Sequence, residues 1–580
     1  MSARIWRATI VGGLAVASVA GAGTAAVAQG TTTAATNGSD QVAQATANEY
    51  VVLTSDGATV AAAQAAVQRA GGRVTKVNED VGLLTVESTN SGFAAAVEAD
   101  ASVEGVARNR PIGEAPVTSA LPRRDAEKLT AEERASAKSG ATAAAPAAGE
   151  PLADKQWDMK MIGATPDGSY AVNQGDHGVL VGIIDTGIDA SHPDLAPNFN
   201  ARLSRNFTTD IPLIDGDCAL EPDQSCNDPA NVDEGGHGSH VAGTVAAAIN
   251  GVGVSGVAPG VQLVNLRAGQ DSGFFFLQPT IDAITFAGRH GIDVVNMSFF
   301  TDPWLYNCAN NPADSPAEQL EQRTVIKATQ RAVNFARDHG VTLVAALGND
   351  HTDLGNPMID TISPDFPPGT EKTRTVDNSC LDVPTETRGV ISVSALGPSG
   401  KKADYSNYGT EQTDFSAPGG YFRDFFGTPQ FRVIENLVLS SWPKNVAIEE
   451  GSVDPTTGQP LIPDVVASCT GATVDTCTYW RWLQGTSMAS PHADGVAALV
   501  VSAHGKKDKA SGGLTLKPDK VEDIMKATAT KTPCPVPPLV SYANEGRPPE
   551  FDALCVGGTN KNGFYGRGIV DAWKAATIAR

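Results

Sequence analysis

Short apolar stretches alternate with longer helical stretches through the C-terminal part of this sequence, and this alternation restricts the fold most strongly. The apolar stretches lie at 179–184, 261–266, 294–297 and 341–346. The helical stretches lie at 239–249, 280–289 and 324–339. Uniformly apolar strands between helices are typical of a parallel sheet covered on both faces. We therefore predict an α/β domain over residues 151–580, with functional side chains at strand ends and helix starts.

Three polar segments lie at such strand ends and helix starts. They are Val-Gly-Ile-Ile-Asp-Thr-Gly at 181–187, His-Gly-Ser-His-Val-Ala-Gly-Thr at 237–244 and Gly-Thr-Ser-Met-Ala-Ser-Pro-His at 485–492. A serine hydroxyl is a poor nucleophile unless an imidazole takes its proton and a carboxylate holds that imidazole. Asp185, His237 and Ser487 supply these groups. Taken singly, Asp185 can instead cap a turn and Ser487 a helix, and His237 can bind a metal with His240.

In order and content, the three segments resemble the motifs of the subtilisin-like serine proteases, for which the order Asp, His, Ser is known. The resemblance implies that Ser487 attacks a peptide carbonyl, that His237 transfers the proton and that Asp185 orients His237. It also implies that Asn349 holds the oxyanion with the Ser487 amide. A turn asparagine is the alternative for Asn349. Shorter matches extend the resemblance over nearly all of 151–580 and imply a subtilisin-like fold.

The resemblance also indicates where substrate binds. It places Ser298 and Gly348 at substrate-binding positions, and Asp233, Asp350 and Asp382 around the cleft. Acids around a cleft favour substrates with Lys or Arg beside the cut bond, because a buried carboxylate without a cation is costly. A turn cap is the alternative for Asp382. Four insertions are expected to build the rims of the cleft, at 207–233, 303–325, 351–380 and 420–483.

No cofactor is expected for catalysis, and a structural calcium ion is a hypothesis from the same resemblance. Asp194 and Asn250 fall where related enzymes place oxygen ligands of calcium, and Asp154 is a third candidate. The alternative, that these are ordinary turn residues, carries equal weight.

The N-terminus predicts a secreted protein. Residues 1–28 have the pattern of a signal peptide, with Arg4 and Arg7, an apolar stretch, and Ala-Val-Ala at 26–28. A membrane anchor is the alternative, but the stretch is short and rich in Gly and Ala. No later run is long and apolar enough to span a bilayer, so we expect no stable membrane anchor after signal removal.

Residues 29–48 are expected to be a disordered spacer. Residues 49–113 show a β-α-β-β-α-β pattern that resembles the inhibitory propeptide of the same family. Residues 114–150, with Arg123-Arg124 and an Ala-Pro-rich end, are expected to be a linker and processing region. The resemblance implies self-cleavage in this region, between about Pro111 and Ala148.

Eight cysteines and no C-x-x-C pair indicate disulfides in a secreted chain, although eight cysteines allow 105 connectivities. Their positions suggest pairing between neighbours: Cys218 with Cys226, Cys469 with Cys477, Cys534 with Cys555, and Cys308 with Cys380. The net charge of −22 argues against a nucleic-acid partner.

The expected partners are protein or peptide substrates and the chain's own propeptide. We predict a secreted, self-processing serine endopeptidase. Two alternatives remain open at this point. One is a narrow-specificity protease that trims precursor peptides, and the other is a catalytically inactive binding scaffold.

Overall fold

The computed structural model describes residues 49–108, 111–114, 127–139, 150–212, 214–220, 224–299, 301, 303–356, 358–365, 370–507 and 513–578. The predicted signal peptide, the spacer and most of the linker lie outside the described residues. Across the described part of the chain, no helix combines the length and hydropathy needed to cross a bilayer.

Residues 49–108 form a small α+β unit. Its strands and helices follow the order β1 (Glu49–Thr54), α1 (Val60–Arg69), β2 (Gly72–Asn78), β3 (Leu83–Ser88), α2 (Phe93–Glu98) and β4 (Val103–Arg108). The strands make an antiparallel sheet in the order β2-β3-β1-β4. A short strand, β5 (Pro111–Glu114), follows the unit.

The C-terminal domain is built on a seven-stranded sheet in the order β17-β16-β12-β10-β6-β8-β7. Its strands are β6 (Leu180–Ile184), β7 (Arg205–Asn206), β8 (Gln262–Arg267), β10 (Val294–Met297), β12 (Thr342–Ala346), β16 (Val390–Leu396) and β17 (Phe415–Pro418). All neighbouring strands run parallel. The predicted parallel sheet is confirmed.

Both faces of this sheet are buried, which explains the uniformly apolar strands. On β6, Val181 and Ile183 pack in one core, whereas Leu180 and Ile184 pack in the other. The principal helices of the domain are α5 (His237–Ala246), α6 (Leu277–His290), α7 (Pro316–Asp338), α9 (Thr486–His504) and α10 (Pro518–Thr528). Shorter helices are α3 (Ala131–Ser136), α4 (Trp157–Ile162), α8 (Lys444–Glu449) and α11 (Ala572–Thr577). This arrangement confirms the predicted α/β class with helices on both faces.

The insertion at 420–483 carries its own antiparallel sheet. Strand β20 (Cys477–Leu483) lies between β18 (Val438–Trp442) and β19 (Val465–Cys469). Further short strands are β9 (Phe274–Phe276), β11 (Asn307–Cys308), β13 (Met358–Asp360), β14 (Arg374–Val376), β15 (Cys380–Leu381), β21 (Lys506–Lys507), β22 (Leu514–Thr515), β23 (Leu539–Val540), β24 (Ala553–Leu554), β25 (Gly557–Gly558) and β26 (Lys561–Asn562).

The small unit packs its sheet against α6 and α7 of the larger domain. Val51, Leu53 and Leu83 share a buried core with Ile281 of α6 and Val325 of α7. Burial of apolar side chains on this scale is the main source of stability at such a contact.

Ion pairs surround this apolar contact. Lys76 Nζ lies 2.6 Å from Asp282, and Arg331 Nη2 lies 2.5 Å from Asp56. Strand β5 then pairs antiparallel with β9, whose residues belong to the larger domain. The two parts of the chain are therefore joined by a packed interface as well as by the linker.

All four predicted disulfides are confirmed: Cys218–Cys226, Cys308–Cys380, Cys469–Cys477 and Cys534–Cys555. The Cys308–Cys380 bond joins β11 to β15 across 72 residues, whereas Cys218–Cys226 spans only 8.

We expect the two bonds to differ in their effect on stability, because a cross-link restricts the unfolded chain more when its loop is longer. Replacing Cys308 and Cys380 together by Ser should lower the free energy of unfolding by about 4 kcal/mol. The matched control, with Cys218 and Cys226 replaced by Ser, should lose about 2.5 kcal/mol. Denaturant unfolding measures both losses, and equal losses would contradict this account.

Candidate active site

Asp185 and His237 meet inside the larger domain. Asp185 directly follows β6, and His237 is the first residue of α5. His237 Nδ1 lies 2.8 Å from Asp185 Oδ1, and both side chains are buried. Thr186 N also donates to Asp185 Oδ1, at 2.8 Å. The carboxylate is therefore fixed and holds the imidazole in one orientation, as a catalytic Asp-His pair requires.

Asp233 is fully buried at the start of α5, and its substrate-binding role stays a prediction. Its buried carboxylate accepts hydrogen bonds from Gly236 N at 2.8 Å, from Ser239 N at 2.9 Å and from Thr186 Oγ1 at 3.0 Å. These donors belong to the start of α5 and to the residue after Asp185. Asp233 therefore caps the helix that carries His237 and fixes that helix to the end of β6.

Ser487 stands in the first turn of α9, where free amides can stabilise a developing negative charge. Pro491 lies inside this helix and has no N–H to donate to the Ser487 carbonyl. The Ser298 hydroxyl takes the place of that amide and donates to Ser487 O at 3.0 Å. Ser298 also contacts Ser490 Oγ at 2.8 Å. The Ser298 side chain thus braces the helix that carries Ser487, and the substrate-binding role of Ser298 stays a prediction.

The Ser487 hydroxyl is not bonded to His237 in this structure. It donates to the backbone carbonyl of Ser298 at 3.3 Å. His237 Nε2 instead lies 3.3 Å from Glu127 Oε2, an ion-pair distance without hydrogen-bond geometry. The other oxygen of Glu127 accepts from Asn349 Nδ2 at 3.2 Å. A carboxylate from the linker therefore stands in the catalytic centre.

Asn349 is held so that its amide group points at this carboxylate. It follows β12, and its Oδ1 accepts from both the amide and the hydroxyl of Thr486, each at 2.9 Å. These bonds fix the orientation of the side chain. Glu127 Oε1 therefore stands in for the oxyanion that Asn349 is predicted to bind.

The two carboxylates decide the protonation of His237. Burial alone would lower the pKa of its imidazole, but Asp185 and Glu127 outweigh burial and raise that pKa to about 10. A histidine that is protonated at neutral pH cannot accept the proton of Ser487. His240, by contrast, is buried and its pKa is lowered to about 3, and its Nε2 lies 3.0 Å from the Arg481 carbonyl. The structure is thus a blocked state of the site.

Gly348, Asp350 and Asp382 lie together behind Asn349. Gly348 has φ +98°, and a Cβ there would come within 2.4 Å of Asn407, so only glycine suits the position. That Cβ would also lie 3.3 Å from Asp382 Oδ2. Asp350 lines, with Asn349, a cleft of about 680 Å³.

Asp382 is fully buried, and neither carboxylate oxygen has a hydrogen-bond partner in the described part of the chain. Burial, together with Glu386 and Asp350, holds the pKa of the Asp382 carboxyl well above its usual range. An acid in this position is costly as an anion unless a cation joins it.

The residues predicted to bind calcium do not fit that ion in this arrangement. Asp194 Oδ2 accepts from Trp480 Nε1 at 2.8 Å and from Val254 N at 3.1 Å. Asn250 Oδ1 accepts from Val252 N at 2.9 Å. Calcium needs several free oxygen ligands, and of the buried side-chain oxygens of Asp194 only Oδ1 has no partner within the described ranges.

The surroundings of the loop at Asn250 also argue against a calcium site. Glu150 accepts from Gly251 N and Val252 N, at 2.9 and 3.0 Å, so the loop presents N–H groups to a carboxylate. Asp154 lies in a turn whose carbonyl accepts from Lys160 Nζ at 2.9 Å. The ammonium group of Lys160 therefore takes one of the oxygens that Asp154 could offer a cation.

Another carboxylate cluster was not found from the sequence. Asp210, Asp228 and Asp271 each place an oxygen within 4.8 Å of the others. Arg267 stands among them and pairs with all three carboxylates. The buried guanidinium of Arg267 therefore neutralises part of the charge of this cluster, and we interpret the cluster as structural.

The chain is similar to known proteins over most of the larger domain. The sequence profile of the subtilase family matches residues 176–558. The nisin leader peptide-processing serine protease of Lactococcus lactis subsp. lactis is 29% identical over 360 residues, which cover 61% of this chain and 45% of that protein. Subtilisin DY of Bacillus licheniformis is 28% identical over 352 residues, which cover 61% of this chain and 84% of that protein.

A solved structure shows the same fold. The epidermin leader peptide processing serine protease of Staphylococcus aureus superposes with a TM-score of 0.57 at 20% identity, covering 92% of this chain and 98% of that one. This chain thus spans less than half the length of the nisin protease but nearly all of the epidermin protease structure.

The position of Glu127 predicts the titration of His237. In a Ser487→Ala background, Glu127→Gln should move the titration midpoint of the His237 imidazole to lower pH, because one of the two carboxylates that raise its pKa is removed. NMR of labelled histidine measures this shift. Glu132→Gln is the matched control, since Glu132 is exposed on the next turn, and it should leave the midpoint unchanged.

Proposed function

Because the chain belongs to the subtilase family, we propose that it is a secreted serine endopeptidase that hydrolyses peptide bonds through an acyl-enzyme intermediate. The observation that carries this proposal is the buried contact of 2.8 Å between His237 Nδ1 and Asp185 Oδ1, beside the helix start that holds Ser487.

The geometry supports a conventional order of events. When Glu127 leaves, the pKa of His237 falls and its Nε2 can accept the proton of Ser487 Oγ. Ser487 then exchanges its bond to the Ser298 carbonyl for one to His237. As Ser487 attacks, Asn349 Nδ2 and the Ser487 amide bind the oxyanion, and Asp185 stabilises the imidazolium. His237 returns the proton to the leaving amine, and water then hydrolyses the ester.

The proposal includes maturation by self-cleavage. Residues 1–28 are the signal peptide, 49–113 the inhibitory propeptide and 114–150 the processing region. Support comes from the apolar contact between the 49–108 unit and α6 and α7, and from the pairing of β5 with β9. Four disulfides suit an exported protein.

We further propose a preference for Lys or Arg on the acyl side of the cut bond. Asp382, buried without a partner beside Gly348, supports this preference because a substrate cation would supply the missing charge. Two similar proteins, the leader-peptide-processing proteases for nisin and epidermin, favour a narrow form of the activity. A precursor-trimming role is therefore the second candidate.

The nucleophile provides the first test of the function. Ser487→Ala should abolish peptide hydrolysis and labelling by a serine-directed phosphonate, and should accumulate as unprocessed chain, because self-cleavage uses the same hydroxyl. Mass spectrometry of the secreted protein identifies the species. Ser502→Ala, near the far end of the same helix, is the matched control and should mature normally. Normal maturation of Ser487→Ala would show that another protease makes the cut.

The preference for a cation has a separate test. Asp382→Asn should lower kcat/KM for peptides with Lys or Arg before the cut by about tenfold to a hundredfold, and should leave apolar peptides less affected. A peptide library measured on both proteins gives the comparison. If apolar residues dominate at the cleaved position in both, the pocket is an apolar slot and Asp382 is structural.

A further inference from the structure

The residues Glu127–Lys138, which we call the covering segment, lie across the catalytic centre and against the 420–483 insertion. Gln484 N donates to Glu127 O at 2.9 Å at one end of the segment. At the other end, Lys138 N donates to Arg432 O at 2.9 Å, and Ile434 N donates to Lys138 O at 3.2 Å. Backbone hydrogen bonds therefore attach both ends of the segment to the larger domain.

Each of four charged side chains of the segment meets an opposite charge on the larger domain. The pairs are Glu127–His237 at 3.3 Å, Lys128–Glu450 at 2.8 Å, Glu133–Arg423 at 3.0 Å and Arg134–Asp464 at 2.8 Å. Arg134 donates to both carboxylate oxygens of Asp464, and this two-point contact fixes the orientation of the pair as well as attracting it. Four of the six charged side chains of the segment are paired in this way, which indicates a surface that is complementary to this segment.

The insertion carries two neighbouring acids, Glu450 and the fully buried Asp464, which the segment helps to neutralise. Arg481 lies between Glu450 and Asp464 and pairs with both, so two acids share one cation. With Lys128 and Arg134 added, five side chains of alternating charge follow one another. They are Lys128, Glu450, Arg481, Asp464 and Arg134. Burial alone would raise the pKa of Glu450, but Arg481 and Lys128 outweigh burial and lower it. Without the segment, Glu450 and Asp464 would share Arg481 alone, and the fully buried Asp464 would lose one of its two cations, which is costly.

An apolar contact lies between the two cations. Leu129 is 1% exposed and packs with Leu439, Trp480 and Trp482 of the insertion sheet. The Lys128 ammonium also lies 5.2 Å from the centre of the Trp442 ring. Helix α3 then begins with a capping box between Thr130 and Glu133, which orders the segment locally.

We propose that the covering segment is a second inhibitory element, distinct from the 49–108 unit, and that the 420–483 insertion is its binding site. The ligand class is a peptide with an acid at the catalytic centre, then Lys-Leu, then Glu-Arg four residues further on. The inference rests on the proposed peptidase function. Its effect is twofold, because Glu127 holds His237 and Asn349 while the cationic residues bind the insertion.

The test uses the unprocessed full chain, separated from matured protein by its mass, and a serine-directed phosphonate, which reacts with Ser487 only when the centre is free. Replacing Lys128 and Arg134 together by Ala should raise the labelling rate by about tenfold or more, since two charge-assisted contacts are lost. The matched control is Glu132→Ala, an exposed residue of the same helix, and it should label at the wild-type rate.

A second measurement adds a synthetic peptide of residues 127–138 to the double variant. The peptide should slow labelling again and compete with substrate, and a peptide with Lys128→Ala and Arg134→Ala should do so about tenfold less well. Equal labelling of wild type and double variant, with no effect of the peptide, would overturn the inference while leaving the peptidase function intact. Absence of labelling in every variant would instead remove the peptidase function, and this inference with it.

Discussion

The site depends on a buried carboxylate that must have a partner. Asp185 follows a strand whose two faces are both covered, so its charge has no access to bulk water. It is tolerable there because His237 and the Thr186 amide bind it. The position of His237 depends in turn on Asp233, which ties the start of α5 to the same strand end. The buried Asp185 carboxylate and its hydrogen-bond partners thus fix the geometry at the end of β6 and the start of α5.

Two carboxylates contact the imidazole of His237, and they differ in which ring nitrogen they approach. Asp185 contacts Nδ1 and orients the ring, whereas Glu127 faces Nε2, the nitrogen that must accept a proton. Both stabilise the imidazolium, and only the first leaves the reactive nitrogen open. The difference between a catalytic pair and a blocked site is therefore a matter of which edge of the ring a carboxylate approaches.

The sequence predicted the sheet because burial on both faces leaves an unmistakable pattern in strands such as β6 and β12. It predicted the disulfides because three of the four pairs are close in the chain. It placed Asp185, His237, Ser487 and Asn349 together, and the structure does so as well. The sequence did not predict that Asp233 caps α5 or that the Ser298 hydroxyl bonds to the Ser487 carbonyl, because proximity in the chain does not say which way a side chain points. Glu127 could not be predicted, since its contact with Gln484 joins residues 357 positions apart by a hydrogen bond and no motif marks it.

Pro491 in α9 makes the geometry around Ser487 depend on a contact from outside the helix. A continuous helix would fix the Ser487 carbonyl by its own amides as soon as that helix formed. Here a hydroxyl from the end of β10 supplies the missing bond, so the nucleophile gains its place only after sheet and helix have assembled. The Ser487 carbonyl is therefore fixed by a tertiary contact, and the local geometry of this residue depends on the packing of α9 against the sheet.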